Sequence, residues 1–287
     1  MARKLWINLS DTFAMHHSVS DPIFHFTACL GLGHVIPFDD FALPRNGGLP
    51  LESFTLYDPQ MRATPLRLPT METFTTIDAP GVYVESGDMA AHKVVFGKDS
   101  LPGTYQLGVQ TPEFYITQYK DEKGHTVWDP RPMNAFAPGT PIDSSIKVRI
   151  NAKATATYKE WSPPAALGYE FEIIPVTPLD QVLPNQPVVF EVRYMGKPFT
   201  CTMHEMQFLL ASSNTYGGEA GGSTQGFFLS AYALDGQARF SFPTAGQWLI
   251  TAFSNAVVDP GGPWDEYKDR CKRIFHTASL TINVRAI

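Results

Sequence analysis

No part of this sequence sustains a helical period; its apolar residues alternate with polar ones in short runs. Residues 187–194 show the pattern, with Val188, Phe190 and Val192 at every second position. Because successive side chains of a strand point to opposite faces, such a run predicts a strand with one buried face. Turn signals rich in Gly, Pro and Asp separate the runs, as at 58–60, 196–198 and 235–236. The chain is therefore predicted to be all-β.

Length and composition favour two β-sandwich domains over one small one. The chain has 287 residues, of which 44% are hydrophobic but only 17% are charged, below the usual quarter. The 24 prolines and 22 glycines fit many short strands joined by turns. We expect an N-terminal β-sandwich over 1–158 and a C-terminal immunoglobulin-like β-sandwich over 169–287, joined by a Pro-containing linker at 159–168.

One segment of the first half breaks the regular spacing of strands. Residues 119–145 are rich in proline and in polar side chains, and they are predicted to form a long excursion from the N-terminal sandwich.

Charge and hydropathy argue against a nucleic-acid partner, a membrane span and a secretory signal within this sequence. The net charge is −6, and the Lys and Arg residues form no block beyond the short stretch 268–273, so nucleic acid is not an expected partner. No apolar run approaches 18 residues, so no membrane span is predicted. Residues 1–12 carry Asn8, Ser10 and Asp11 where a secretory signal would have an apolar core, so none is predicted within this sequence.

The three cysteines do not form a recognisable metal or haem motif. Cys29, Cys201 and Cys271 have no Cys-x-x-Cys spacing. Cys201 and Cys271 fall in the same predicted domain and are candidates for a disulfide, but spacing alone leaves that pairing open.

The most specific candidate site is the glycine-rich stretch at 31–41. Gly31 and Gly33 interrupt a predicted strand and place His34 on a bend, followed by Asp39. A histidine with a nearby carboxylate on a strand-end loop suits a divalent transition metal such as Ni, Co, Cu or Zn. The alternative is an ordinary turn in which His34 serves the loop backbone.

A second group of candidate ligands lies earlier in the chain. His16 and His17 sit in the connection between the first two predicted strands, at 4–9 and 23–30. If those strands pair antiparallel, His16 and His17 lie at one end of the hairpin and His34 at the other. They form the reserve pair of metal ligands; an exposed polar loop is the simpler interpretation.

Other chemistry finds little support in the sequence. His276 shares its strand parity with the apolar residues Leu280, Ile282 and Val284, and it is predicted to be a core or edge histidine. No nucleophile elbow, phosphate-binding loop or dinucleotide motif occurs, so the protein is not predicted to be an enzyme.

Several motifs resemble a known family. They are Lys4-Leu5-Trp6, Gly33-His34 followed by Pro37, Gly196-Lys197-Pro198, and 235–240 running into Gly246-Gln247-Trp248. Together they resemble a bacterial envelope family of unknown function that is often encoded beside nickel and cobalt uptake transporters. The resemblance covers nearly the whole chain, and its first-half Gly-His is the more specific element.

The resemblance implies a soluble periplasmic protein that binds nickel or cobalt for uptake, with a membrane transporter component as partner. The family usually carries a histidine shortly before Leu-Trp, where this chain has Arg3. Two alternatives stay open. One is an interaction or adhesion module that binds a protein or glycan through loops such as 212–226, and the other is an uncharacterised hydrolase in the 119–145 region.

Overall fold

The computed structural model describes residues 4–10, 25–33, 49–70, 75–201, 209–213 and 227–285. Strands account for 54% of the structure, and the described residues contain no α-helix, which confirms the all-β prediction. No helix in these ranges is long and apolar enough to cross a membrane. The strands are β1 (Lys4–Ser10), β2 (His25–Gly33), β3 (Ser53–Tyr57), β4 (Ala63–Pro65), β5 (Thr75–Ala79), β6 (Val82–Ser86), β7 (His92–Val95), β8 (Gly103–Gln110), β9 (Phe114–Lys120), β10 (Thr126–Asp129), β11 (Ile142–Tyr158), β12 (Phe171–Pro175), β13 (Pro187–Tyr194), β14 (Lys197–Pro198), β15 (Leu209–Ser213), β16 (Phe227–Ala231), β17 (Gln237–Ser241), β18 (Gly246–Val257) and β19 (Arg273–Val284).

A large central sheet organises these strands. Its order is β16-β15-β18-β19-β11-β8-β3-β4, and β9 and β10 extend it from the first part of β11. An N-terminal sheet holds β1, β2 and β7, and a C-terminal sheet holds β12, β13, β14 and β17. The strands β5 and β6 form a separate hairpin.

The other two sheets pack on opposite faces of the central one. Trp248, Ile250 and Ala252 of β18 join the core that includes β12, β13 and β17. Leu249, the residue between Trp248 and Ile250, packs instead against Trp6 of the N-terminal sheet. Because alternate side chains of a strand point to opposite faces, the central sheet carries one apolar core on each side. This layering agrees with packed sandwich sheets.

The long strand β11 connects the first and second halves of the chain. It pairs antiparallel with β9 and then β8 along one edge, and parallel with β19 along the other. On one face, Val148, Ile150 and Ala152 enter the N-terminal core. The central sheet is therefore hydrogen-bonded continuously across the predicted domain boundary.

The linker 159–168 lies against the central sheet. The Thr104 backbone N–H donates to Ser162 Oγ at 2.8 Å, and the Ser162 N–H donates to Thr104 Oγ1 at 3.1 Å. Further along, the Gln106 side-chain amide donates to the Ala165 carbonyl at 3.0 Å. The linker is thus hydrogen-bonded to β8. The division into two domains, the second immunoglobulin-like, stays a prediction.

The cysteines form no disulfide. Cys29, Cys201 and Cys271, all of them described, are thiols. Cys201 belongs to the core of the C-terminal sheet, whereas Cys271 packs with Tyr115 and Ile274. The candidate bridge between Cys201 and Cys271 is absent.

A buried ion pair holds the C-terminal sheet to β11. Lys153 and Glu172 have side-chain exposures of 0% and 2%, with Nζ and Oε1 2.8 Å apart. Glu172 also accepts hydrogen bonds from the backbone N–H groups of Leu167 (2.7 Å) and Gly168 (3.0 Å). Burial lowers the pKa of Lys153, and the Glu172 carboxylate opposes that shift. The ammonium therefore depends on this one carboxylate for its charge balance.

We predict that Glu172→Gln lowers the free energy of unfolding by about 3–5 kcal/mol, because it leaves Lys153 buried beside a neutral amide. The measurement is urea unfolding at neutral pH. The double variant Lys153→Met/Glu172→Gln removes the stranded charge and should recover part of the loss. A loss below about 1 kcal/mol for Glu172→Gln would contradict the assigned role of the pair.

Candidate functional site

The four predicted metal ligands lie outside the described residues. His34, Asp39, His16 and His17 fall in the ranges 11–24 and 34–48. Their geometry is untested, and their role stays a prediction. The described residues nevertheless fix the strand ends from which these two segments extend.

The pairing of β1 with β2 agrees with the sequence interpretation. The strands are antiparallel, with Lys4 opposite Gly33 at one end and Ser10 opposite Thr27 at the other. Phe26, a residue of the predicted inward face of β2, is buried in the N-terminal core. Gly33, the residue before His34, therefore lies beside the start of β1. The segment 11–24 begins at the opposite end of this strand pair.

The structure shows a packing requirement for glycine at position 31 that the sequence did not reveal. A Cβ at position 31 would overlap the Trp6 indole of the neighbouring strand. Trp6 is buried, and its ring N–H donates to Asn8 Oδ1 at 3.1 Å. Gly31 is thus explained by close packing of an aromatic ring against the backbone. Its presence adds nothing to the case for His34 as a ligand.

A cavity of about 410 Å³ opens at the Ser10–Thr27 end of the N-terminal sheet. The Ser10 and Thr27 hydroxyls are hydrogen-bonded to each other beside it. Burial raises the pKa of the Cys29 thiol, although a hydrogen bond with Asn8 opposes the shift. The thiol is therefore protonated at neutral pH, which is not the form that binds metals. The cavity is lined by Asn8, Leu9, Ser10, Thr27, Ala28, Cys29, Ala91 and Gln247.

A preformed metal cluster is absent from the part of the chain that the structure describes. No group of three or more His, Cys, Asp or Glu side chains there is arranged to hold an ion.

The most developed polar cluster surrounds His276 on β19. His276 is buried, in agreement with its predicted core position, and the Tyr194 hydroxyl lies 2.9 Å from its Nδ1. Ser254, which is opposite His276 on β18, is hydrogen-bonded to Tyr194. Burial lowers the pKa of His276 to about 4, with further lowering from nearby Lys147. The imidazole is therefore neutral at physiological pH.

A network of charged and aromatic side chains continues from this cluster. Glu113 Oε2 accepts a hydrogen bond from Lys147 Nζ at 2.9 Å. Its Oε1 accepts from the Tyr115 hydroxyl at 2.8 Å and from the Arg270 guanidinium at 3.3 Å. Burial would raise the pKa of Glu113, but its bonds with Lys147 and Tyr115 lower it overall. Lys147 also lies 4.0 Å from the centre of the Tyr267 ring. Glu113 is thus the one carboxylate shared by two cations of the network, Lys147 and Arg270.

Comparison with known proteins places the chain in a family. A family model described as a domain of unknown function, DUF4198, matches residues 1–256. The chain belongs to this family. No curated protein matches it. Membership confirms the expected resemblance to a family of unknown function and leaves its association with metal transport as a proposal.

The contact between Gly31 and Trp6 yields a stability prediction. Gly31→Ala should lower the free energy of unfolding by about 1–3 kcal/mol, because the added methyl displaces the Trp6 ring. Chemical denaturation measures the loss. Trp6→Phe should reduce the penalty of Gly31→Ala in a double-mutant cycle, because the smaller ring leaves room for the methyl.

Gly97→Ala is the matched control, since a Cβ at position 97 meets no atom within 4 Å. It should leave stability nearly unchanged. Equal effects of the two alanines would refute the packing explanation for Gly31.

Proposed function

We propose that this protein is a soluble periplasmic protein that binds a transition-metal ion, nickel or cobalt, and delivers it to a membrane transporter component. The supporting observation is the register of β1 and β2, in which Gly33 lies opposite Lys4. That register matches the arrangement assumed for a ligand at His34. The family resemblance carried by Gly33-His34 and Pro37 supports the choice of metal.

The proposed ligands suit such an ion. A neutral imidazole from His34 binds nickel, cobalt, copper or zinc, and a carboxylate from Asp39 adds an oxygen ligand. His16 and His17 are the reserve site at the other end of the hairpin. His34 and Asp39 make up this primary site, which needs no carboxylate or thiol from the residues that the structure describes.

An interaction or adhesion module is the second candidate, and one observation favours it. Trp128 on β10 is 61% exposed, although tryptophan is usually well buried. β10 pairs with β9 in the predicted excursion. An exposed tryptophan on a short strand is a common anchor for a protein or glycan partner.

The hydrolase alternative has less support from the same excursion. Three of its four acidic side chains, Asp121, Asp129 and Asp143, lie within ion-pair distance of His125, Arg131 and Lys120, respectively. These carboxylates are engaged with exposed basic side chains and not with one another. We therefore propose a binding protein and not an enzyme.

Calorimetric titration with Ni²⁺, Co²⁺, Cu²⁺ and Zn²⁺, on protein purified without added metal or a histidine tag, tests the proposal. We expect one of these ions to bind the native protein and His34→Ala to weaken it at least tenfold. The affinity should fall as the pH drops through about 6, because protons compete for the imidazole.

His125→Ala is the matched control, since His125 is a solvent-exposed histidine in the β9–β10 connection. It should bind metal like the native protein. Unchanged binding by His34→Ala would remove His34 from the site. If the native protein binds none of the four ions, the interaction module becomes the better interpretation.

A further inference from the structure

The connection between β18 and β19, residues 258–272, lies against buried His276. We call it the β18–β19 loop. The Trp264 ring centre is 6.2 Å from the His276 ring and 6.4 Å from the Tyr194 ring. The loop is tied at its base, where the Val258 N–H donates to the Lys272 carbonyl at 3.0 Å. Trp264 brings the middle of the loop against His276, and Tyr267 of the same loop lies 4.0 Å, ring centre to Nζ, from Lys147.

The direction of the hydrogen bond between His276 and Tyr194 depends on the protonation of the ring. Nδ1 of a neutral imidazole accepts the Tyr194 hydroxyl proton when the ring proton is on Nε2. The Ser254 hydroxyl in turn bonds to Tyr194. A second proton on the ring would place a donor at Nδ1, facing the donor of Tyr194. The hydrogen bond would be lost or would have to reverse.

The charges that face His276 also oppose a second proton. Lys147 and Arg149 of β11 both lower its pKa, whereas Glu113 raises it. Glu113 is already paired with Lys147 and Arg270, and Arg149 is paired with Glu52 and Glu170. The remaining neighbours, Tyr194, Ser254 and Trp264, carry no charge. An imidazolium would thus be buried without a carboxylate of its own.

We propose that His276 is an acid-sensitive latch, whose neutral ring holds the β18–β19 loop closed and whose protonation releases Trp264. An exposed histidine has a pKa near 6.5, whereas that of the buried ring is about 4. Because the open form takes up a proton more readily, closure is fully stable above about 6.5 and weakens as the pH falls. The open population should rise roughly tenfold per pH unit until about pH 4.

Hydrogen exchange of the native protein, corrected for the intrinsic pH dependence of amide exchange, tests the latch. Between pH 7 and pH 4.5, amides within residues 259–269 should lose protection, whereas those of β8 should remain protected. Simultaneous loss in both regions would mean global acid unfolding and would overturn the proposal.

Two variants make the test specific. His276→Gln retains a side-chain acceptor for Tyr194 but cannot become charged, so its loop protection should be independent of pH. Tyr194→Phe removes one hydroxyl and keeps the ring beside Trp264, so its loop should open at a higher pH than in the native protein. The exposed control His125→Gln should behave like the native protein.

If His276→Gln does not fold, the result for Tyr194→Phe alone decides whether the latch proposal holds. An unchanged opening pH in Tyr194→Phe, or a retained pH response in His276→Gln, would refute the latch. This outcome is independent of metal binding, because no proposed metal ligand lies in the β18–β19 loop.

Discussion

The structure depends on β11, a strand that is buried on both faces but has an apolar and a polar side. Val148, Ile150 and Ala152 supply the apolar face. On the other face, Lys147, Lys153 and their neighbour Asn151 are all buried. Buried polar groups are tolerated only with partners, so each position of this face constrains another segment of the chain.

Those partners determine how the rest of the chain is placed. Glu172 meets Lys153 and also binds two backbone N–H groups of the linker, so one carboxylate joins β11, β12 and the linker. Asn151 donates to the Phe171 carbonyl at 2.8 Å. Glu113 meets Lys147 and brings in Arg270 from the β18–β19 loop. The contacts between layers are thus specified by charge as well as by apolar burial.

Local features of this fold could be predicted from the sequence, and long-range ones could not. The turn at Asp235-Gly236 has positive φ at both residues, as its sequence indicates. The turn predicted at 196–198 lies instead at Met195-Gly196, both with positive φ, and Lys197–Pro198 is the strand β14. The alternation in β13 and the pairing of β1 with β2 were also correct. The parallel pairing of β11 with β19 follows from contacts between distant segments, and no local pattern encodes it. Distant contacts also determine the site around His276. Its place in the alternation of β19 identified a core histidine, but its partners come from three other elements of the chain.

The motif Gly31-x-Gly33 illustrates how structural and functional reasons share one stretch of sequence. Packing of Trp6 accounts for Gly31 completely, so only Gly33 bears on the presentation of His34. That packing nevertheless has a consequence for the proposed site. A strand held against a buried indole, with Gly33 in register with Lys4, gives the following residues a fixed starting point. A ligand supported by a rigid element loses less conformational freedom on binding, so the rigidity of this strand end, and not Gly31 itself, bears on the proposed site.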